Sequence, residues 1–180
     1  MRRGFLPVRV AAVTTLCNAL SRAIDVALIA GGSLVCIFVF ANVIARYLFN
    51  FDLAWVNETG ETIFVWLTFL GGARAVRSHA HLLVIEFVER LPAAPSRALF
   101  TVLSFLTIGI LIGLVWFGAG LAITNMEQSM SVTGWPVGII YWALPVGSAL
   151  AAIFVVEQIL RGDDFRAVAA AAYALAEEEV

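Results

Sequence analysis

Lysine is absent from this 180-residue chain; all 11 basic side chains are arginine. Charge of either sign is scarce. Only 13% of residues are charged, about half the ~25% of a soluble domain. Cysteine occurs twice, at Cys17 and Cys36. On one continuous helix these two thiols lie too far apart for a disulfide, and their spacing is not that of a metal site. Both are therefore expected to be free thiols. There is no G-x-S-x-G, no Walker loop and no H-E-x-x-H, so the usual signatures of hydrolase, nucleotide and zinc chemistry are missing. No polar segment is long enough to form a soluble domain, and no internal repeat suggests an inverted-repeat transporter.

What remains is apolar. Hydrophobic residues make up 62% of the chain, against about 45–50% in a soluble domain, and the mean hydropathy is +0.95. Lipid is the expected solvent for much of the surface. The apolar runs predict an all-α integral membrane protein with four transmembrane helices in a single domain. The spans are placed at about 24–45, 60–76, 98–124 and 135–160. The first is long enough to cross a bilayer and is read as a retained span rather than a cleaved leader, with a weakly amphipathic helix before it. Residues 82–91 alternate Leu, Val, Ile and Phe with Glu86, Glu89 and Arg90. They predict an amphipathic helix in the interface plane between spans two and three. Pro145, inside span four, predicts a kink, because it frees the carbonyl of Tyr141. Residues 162–180 are expected to be a flexible or frayed tail.

Arginine counting sets the orientation. With the N-terminus inside, the inner segments hold ten arginines and the outer segments hold only Arg46. Both termini are then cytoplasmic. The basic residues flank spans, which gives no support to nucleic-acid binding.

Residues 46–81 carry most of the information. Arg46 ends one apolar run, Trp55 and Glu58 follow in a short connection, and Trp66 lies in the next run. Arg74, Arg77, His79 and His81 close the stretch. The spacing of His79 and His81 does not put both on one helical face, which argues against a paired metal or haem site. Asn42, four residues before Arg46, can bond that guanidinium or a neighbouring helix. Glu157 and Arg161 form an i,i+4 pair. In span three, Gly109 and Gly113 form G-x-x-x-G, which allows another helix to approach closely. Asp25, Glu58, Glu61, Arg74 and Glu157 all lie near span ends. No carboxylate stands at mid-span, where a proton or ion relay would need one.

The stretch resembles the small membrane subunit of tripartite ATP-independent periplasmic (TRAP) transporters. The resemblance rests on Arg46, Tyr47, Phe49, Trp55, Glu58, Phe64, Val65, Trp66, Gly71, Gly72, Ala73, Arg77 and His81. A second match lies at Pro136, Tyr141, Trp142, Leu144, Pro145, Val146 and Gly147. After His81 the sequence departs from the family pattern, with Leu83 and Ile85 in place of a basic residue and an Asp. The resemblance implies a non-enzymatic scaffold in a bacterial inner membrane, with no cofactor of its own. Its partners would be a large multi-spanning permease, a periplasmic solute-binding protein and membrane lipids. The complex would import an organic acid using a sodium gradient. Arg46, Trp55, Glu58, Trp66, His81, Gly109 and Gly113 are the candidates for partner contact. Two readings from other classes stand beside it: a haem-bearing or other membrane anchor of an oxidoreductase, and a stand-alone small homo-oligomeric transporter.

Overall fold

The computed structural model describes residues 8–78 and 93–161, with side chains from residue 13 in the first segment and residue 98 in the second. His79, His81, the expected interfacial helix at 82–91 and the tail at 162–180 lie outside the described residues. The described chain is all-helical. Its elements are α1 (Val8–Phe49), α2 (Ala54–Arg77), α3 (Ala93–Thr124), a short α4 (Gly138–Tyr141) and α5 (Ala143–Arg161). A 3-10 turn at Asn125–Glu127 follows α3, and an isolated antiparallel bridge joins Ser129 to Pro136.

Among the described residues, three helical stretches are long and apolar enough to cross a membrane: Val13–Phe49, Ala98–Glu127 and Gly138–Arg161. The α2 helix is not among them. Glu58, Glu61, Arg74 and Arg77 dilute its hydropathy, and it relies on its neighbours for burial. The 42 residues of α1 form one unbroken helix. At ~1.5 Å per residue it is about twice as long as the ~30 Å hydrocarbon core is thick. The weak helix expected ahead of span one is therefore its direct continuation.

The α1–α2 connection is tight. Asn50 takes φ +54°, a left-handed conformation that Asn tolerates better than most residues. The amide of Phe51 donates to Ala45 O at 3.1 Å. Asn42 Oδ1 accepts from the Leu53 amide at 2.9 Å and so supplies a cap that Leu53 itself cannot give to α2. Asn42 thus ties two helices together, and Arg46 pairs instead with Asp52 at 2.9 Å.

The helices form an open layer in the order α1, α2, α5, α3. The α2 helix packs on α1 and α5, and α5 packs on α3, whereas α3 has at most marginal contact with α1 or α2. The best-packed cluster joins Cys17 and Ile24 of α1, Ala73 of α2, and Ala151 and Phe154 of α5. Cys17 is buried and Cys36 exposed, and both are free. The helix that carries Pro145 is interrupted at Trp142, between α4 and α5, next to the carbonyl of Tyr141, to which Pro145 has no N–H to donate. Trp66 Nε1 donates to Ile139 O at 3.1 Å and holds the short α4 piece against α2.

Helix α5 crosses α2 at Gly147. A Cβ there would lie 2.7 Å from Phe69 Cβ and 3.0 Å from Phe69 O. Backbone cannot yield as a flexible side chain does, so Gly147→Ala is expected to destabilise by about 1–3 kcal/mol. Gly109→Ala meets no atom within 4 Å and is expected to leave stability nearly unchanged. Thermal unfolding of both variants in mild detergent checks the contrast.

Candidate functional site

Two polar clusters fix the geometry, one at each end of the helical layer. At one end Glu157 of α5 is 1% exposed, among the most deeply buried side chains described. Arg77 of α2 donates to it from Nε at 3.0 Å and from Nη2 at 3.2 Å, a forked contact that suits a carboxylate. Arg161, one turn along α5, donates to Glu157 Oε1. Arg77 Nη2 also reaches Asn18 Oδ1 of α1 at 2.5 Å, and its guanidinium lies 5.4 Å from the Phe154 ring centroid. One residue beyond Glu157, Gln158 Nε2 donates to Val76 O at 2.7 Å. Nearby, Arg74 Nε pairs with Asp25 Oδ1 at 2.8 Å. Three helices are thus tied by charge where the apolar cluster of Cys17 and Phe154 is also centred.

At the opposite end Glu58 of α2 holds a hairpin formed by residues 128–137. Within the hairpin, Met130 N–H donates to Trp135 O at 2.8 Å and Val137 N–H to Gln128 O at 2.8 Å. Gly134 makes the turn with φ +69°, which favours glycine. Glu58 Oε1 accepts from Val132 N–H at 2.9 Å. Its Oε2 accepts from the Thr133 amide and the Thr133 hydroxyl, both at 2.8 Å. The Thr133 amide foremost, with the Thr133 hydroxyl and the Val132 amide beside it, holds the Glu58 carboxyl below its ordinary range.

Of the sequence candidates, Glu58 and Trp66 are engaged inside the chain, through Thr133 and Ile139. Arg46 is paired with Asp52 and remains half exposed. Trp55 packs edge-on against Phe38, with centroids 5.4 Å apart, and is 40% exposed. Gly109 and Gly113 face open space. They share a face with Trp116, which is 79% exposed, while the buried Phe100, Ser104, Gly118 and Ala122 lie on the opposite side of α3. These candidates are not gathered in one place.

The Glu157–Arg161 pair was legible as an i,i+4 spacing. The Arg77–Glu157 and Glu58–Thr133 contacts, which span 80 and 75 positions, were not. A signal was available for the first. Two arginines end α2, and two acids, Asp25 and Glu157, belong to the same side by helix direction.

Residues 35–164 match the family of the DctQ component of tripartite ATP-independent periplasmic transporters. The chain belongs to this family. The match runs from the middle of α1 past the end of α5 and takes in both clusters except Asn18 and the Asp25–Arg74 pair's α1 side. A protein of Haemophilus influenzae described as a candidate TRAP transporter small permease is 25% identical over 147 residues, covering 81% of this chain and 91% of its own. The ectoine TRAP transporter small permease protein TeaB of Halomonas elongata is 26% identical over 63% of this chain and 60% of its own. The C4-dicarboxylate TRAP transporter small permease protein DctQ of Vibrio cholerae is 39% identical over a shorter stretch, 30% of this chain and 23% of its own. With its apolar helices, this TRAP small permease subunit is an integral membrane protein and a transporter component rather than an enzyme.

Glu157→Gln leaves the Arg77 guanidinium, 14% exposed, without a charged partner. The expected loss is about 3–5 kcal/mol, as for other broken buried pairs. Arg161, 38% exposed, contributes far less, so Arg161→Ala is expected to cost about 0–1 kcal/mol. Unfolding curves in mild detergent distinguish the two. At the other end, a lowered carboxyl pKa means the Glu58 contribution is complete above the ordinary Glu value of about 4.3 and fades as pH falls through the depressed value. Trp135 fluorescence, taken as the difference from Trp135→Phe, is expected to hold steady from neutral pH to that point and change below it. Glu58→Gln is expected to lack the transition.

Proposed function

We propose that this subunit is a static scaffold for a large multi-spanning permease in the bacterial inner membrane. The permease would carry the substrate and sodium sites and import an organic acid delivered by a periplasmic binding protein. The observation that carries the reading is where the acids go. Among the described residues, Asp25, Asp52, Glu58 and Glu157 are all spent on partners within the chain. Glu61 and Glu127 lie near the Glu58 end, away from mid-membrane. Among the described residues this arrangement leaves no carboxylate at mid-span for a relay.

In this reading α2 is the fourth span. It is packed between α1 and α5, both apolar enough to cross, and its stretch 60–76 rises ~26 Å at ~1.5 Å per residue, close to the ~30 Å hydrocarbon core, with Glu58 outside it. The excess of arginine at the Arg77 end supports a cytoplasmic position for that end and for both termini. The names of relatives support a ligand small enough for a binding protein, ectoine in one and a C4-dicarboxylate in another. The scaffold's contact with the permease is assigned to the face of α3 with Gly109, Gly113 and Trp116. It is the face left uncovered by α5, and its glycines let a partner helix come close. Arg46 and Trp55, on α1 and α2 across the layer from α3, would be separate contacts at the periplasmic end, with His81 at the cytoplasmic end. Glu58 and Trp66 would act indirectly, by holding the hairpin and α4.

A mild-detergent pull-down of the tagged chain tests this. One large permease is expected in near-equal amount. Gly113→Leu is expected to reduce its recovery at least about tenfold by denying close helix approach, with insertion unchanged. Recovery of the chain alone, or with redox subunits, would overturn the scaffold reading.

A further inference from the structure

The α2 helix is covered on every side but one. Between Val56 and Arg77 the exposed residues are Asn57, Glu61, Phe64, Thr68 and Gly72, and every other residue is buried or half-buried. Their spacing puts all five on one stripe, about 22 Å long at the rise of an α-helix. The neighbours lie to either side of it. Ile63 and Leu67 sit against Gly31 of α1, and Phe69 sits against Gly147 of α5.

The stripe differs in chemistry from the other exposed helix surfaces. Residues 26–45 of α1 and 98–124 of α3 contain no charged side chain. Their open faces are large and apolar: Ile29, Ile37 and Phe40 of α1 and Phe105, Ile110 and Phe117 of α3 are all more than half exposed. Acyl chains suit such groups. The α2 stripe instead offers a carboxamide, a carboxylate, a hydroxyl and a glycine, with Phe64 as its one large apolar group. The Thr68 hydroxyl is satisfied by its own helix, donating to Phe64 O at 2.9 Å. Glu61 is not satisfied in this way. It forms no ion pair among the described residues, and Arg46, at the same end of the layer, is held by Asp52. Glu61 also lies nearly one turn further along α2 than Glu58, inside the stretch 60–76. A carboxylate inside a span is costly without a counter-charge. Polar and small side chains are, on the other hand, the groups by which membrane helices pack on one another.

We propose that this stripe docks a transmembrane helix of another membrane protein, one that sets an arginine or lysine opposite Glu61 and packs along Phe64, Thr68 and Gly72. Charge selects the occupant. Acyl chains offer Glu61 nothing. A second copy docked by the same stripe would set Glu61 against Glu61, since a two-fold contact uses the same patch on both sides. The inference goes beyond the α3 contact. It rests on α2 crossing the bilayer and holds whichever protein the partner is.

The test uses the full chain in its native membrane. Benzoylphenylalanine replaces Phe64 or, as a control on α1, Ile29, and photo-adducts are sequenced by mass spectrometry. The expected Phe64 adduct is a transmembrane segment of a different protein with Arg or Lys within about two turns of the attachment point, absent from the Ile29 control. Glu61→Gln keeps the shape and removes the charge, and is expected to lower recovery of that protein in a mild-detergent pull-down about tenfold. Glu61→Arg is expected to lower it further, and exchanging the partner's cation for Glu is expected to restore it. Unfolding of both Glu61 variants is expected to match wild type, which separates lost contact from lost folding. Adducts with lipid alone or with a second copy, a partner segment without a basic residue, or recovery unchanged by Glu61→Arg overturns the inference. Labelling of Asn57→Cys and Ser78→Cys with a membrane-impermeant maleimide, in a Cys36→Ser background, reports separately on α2. Labelling from opposite sides with recovery indifferent to Glu61→Arg removes this contact alone. Labelling of both from one side removes it together with α2 as a span.

Discussion

The forked contact between Arg77 and Glu157 is the constraint on which the rest depends. A carboxylate this deeply buried is costly unless charge and hydrogen bonds compensate it. Arg77 and Arg161 provide both, and in doing so they fix the rotation of α2 and α5 about their axes. Arg77 then reaches Asn18, which fixes α1 as well. Apolar packing among Cys17, Ile24, Ala73 and Phe154 and the close crossing of Gly147 on Phe69 hold the helices together. The ion pair adds a directional constraint to that packing.

At the far end Glu58 plays a matching role with different chemistry. It makes no ion pair among the described residues and takes its compensation from the amides of Val132 and Thr133 and the Thr133 hydroxyl. A carboxylate held by backbone N–H groups needs a loop of one defined shape, and Gly134 with the Ser129–Pro136 bridge supplies it. The hairpin is thus kept near α2, although the chain between them passes through all of α3. The open layer of helices is closed at both ends by polar contacts and is left loose along its sides.

The membrane character and the helix positions were legible in the sequence because they depend on composition and local runs. The break next to Pro145 was legible for the same reason, as proline acts on a carbonyl four residues away. The i,i+4 pair of Glu157 and Arg161 needed only helical spacing. Long-range partners were not legible. Asn42 could be placed near Arg46 by spacing, yet its acceptor is used by Leu53 across the turn, which requires knowing where α2 begins. Glu58 offered itself as a partner contact because it was polar and near a span end. Nothing local showed that the amides of a loop 74 and 75 positions away would use both of its oxygens. Gly109 and Gly113 differ from Gly147 in no local way, and only the fold separates the glycine that meets a neighbour from those that meet none.

That separation bears on why such a chain is useful in a membrane. Lipid gives apolar helices no hydrophobic reason to associate, so contacts must come from close packing and from polar groups that have no better partner. Here the polar groups are consumed internally, at Glu157 and at Glu58, and hold the layer rigid. Gly109 and Gly113 of α3 are not consumed, and among the described residues α3 is tied to the layer through α5 and the short α4. A body with such an uncovered, closely approachable face can bind a second membrane protein without reorganising its own charges. The binding free energy then goes into the contact itself rather than into ordering the subunit.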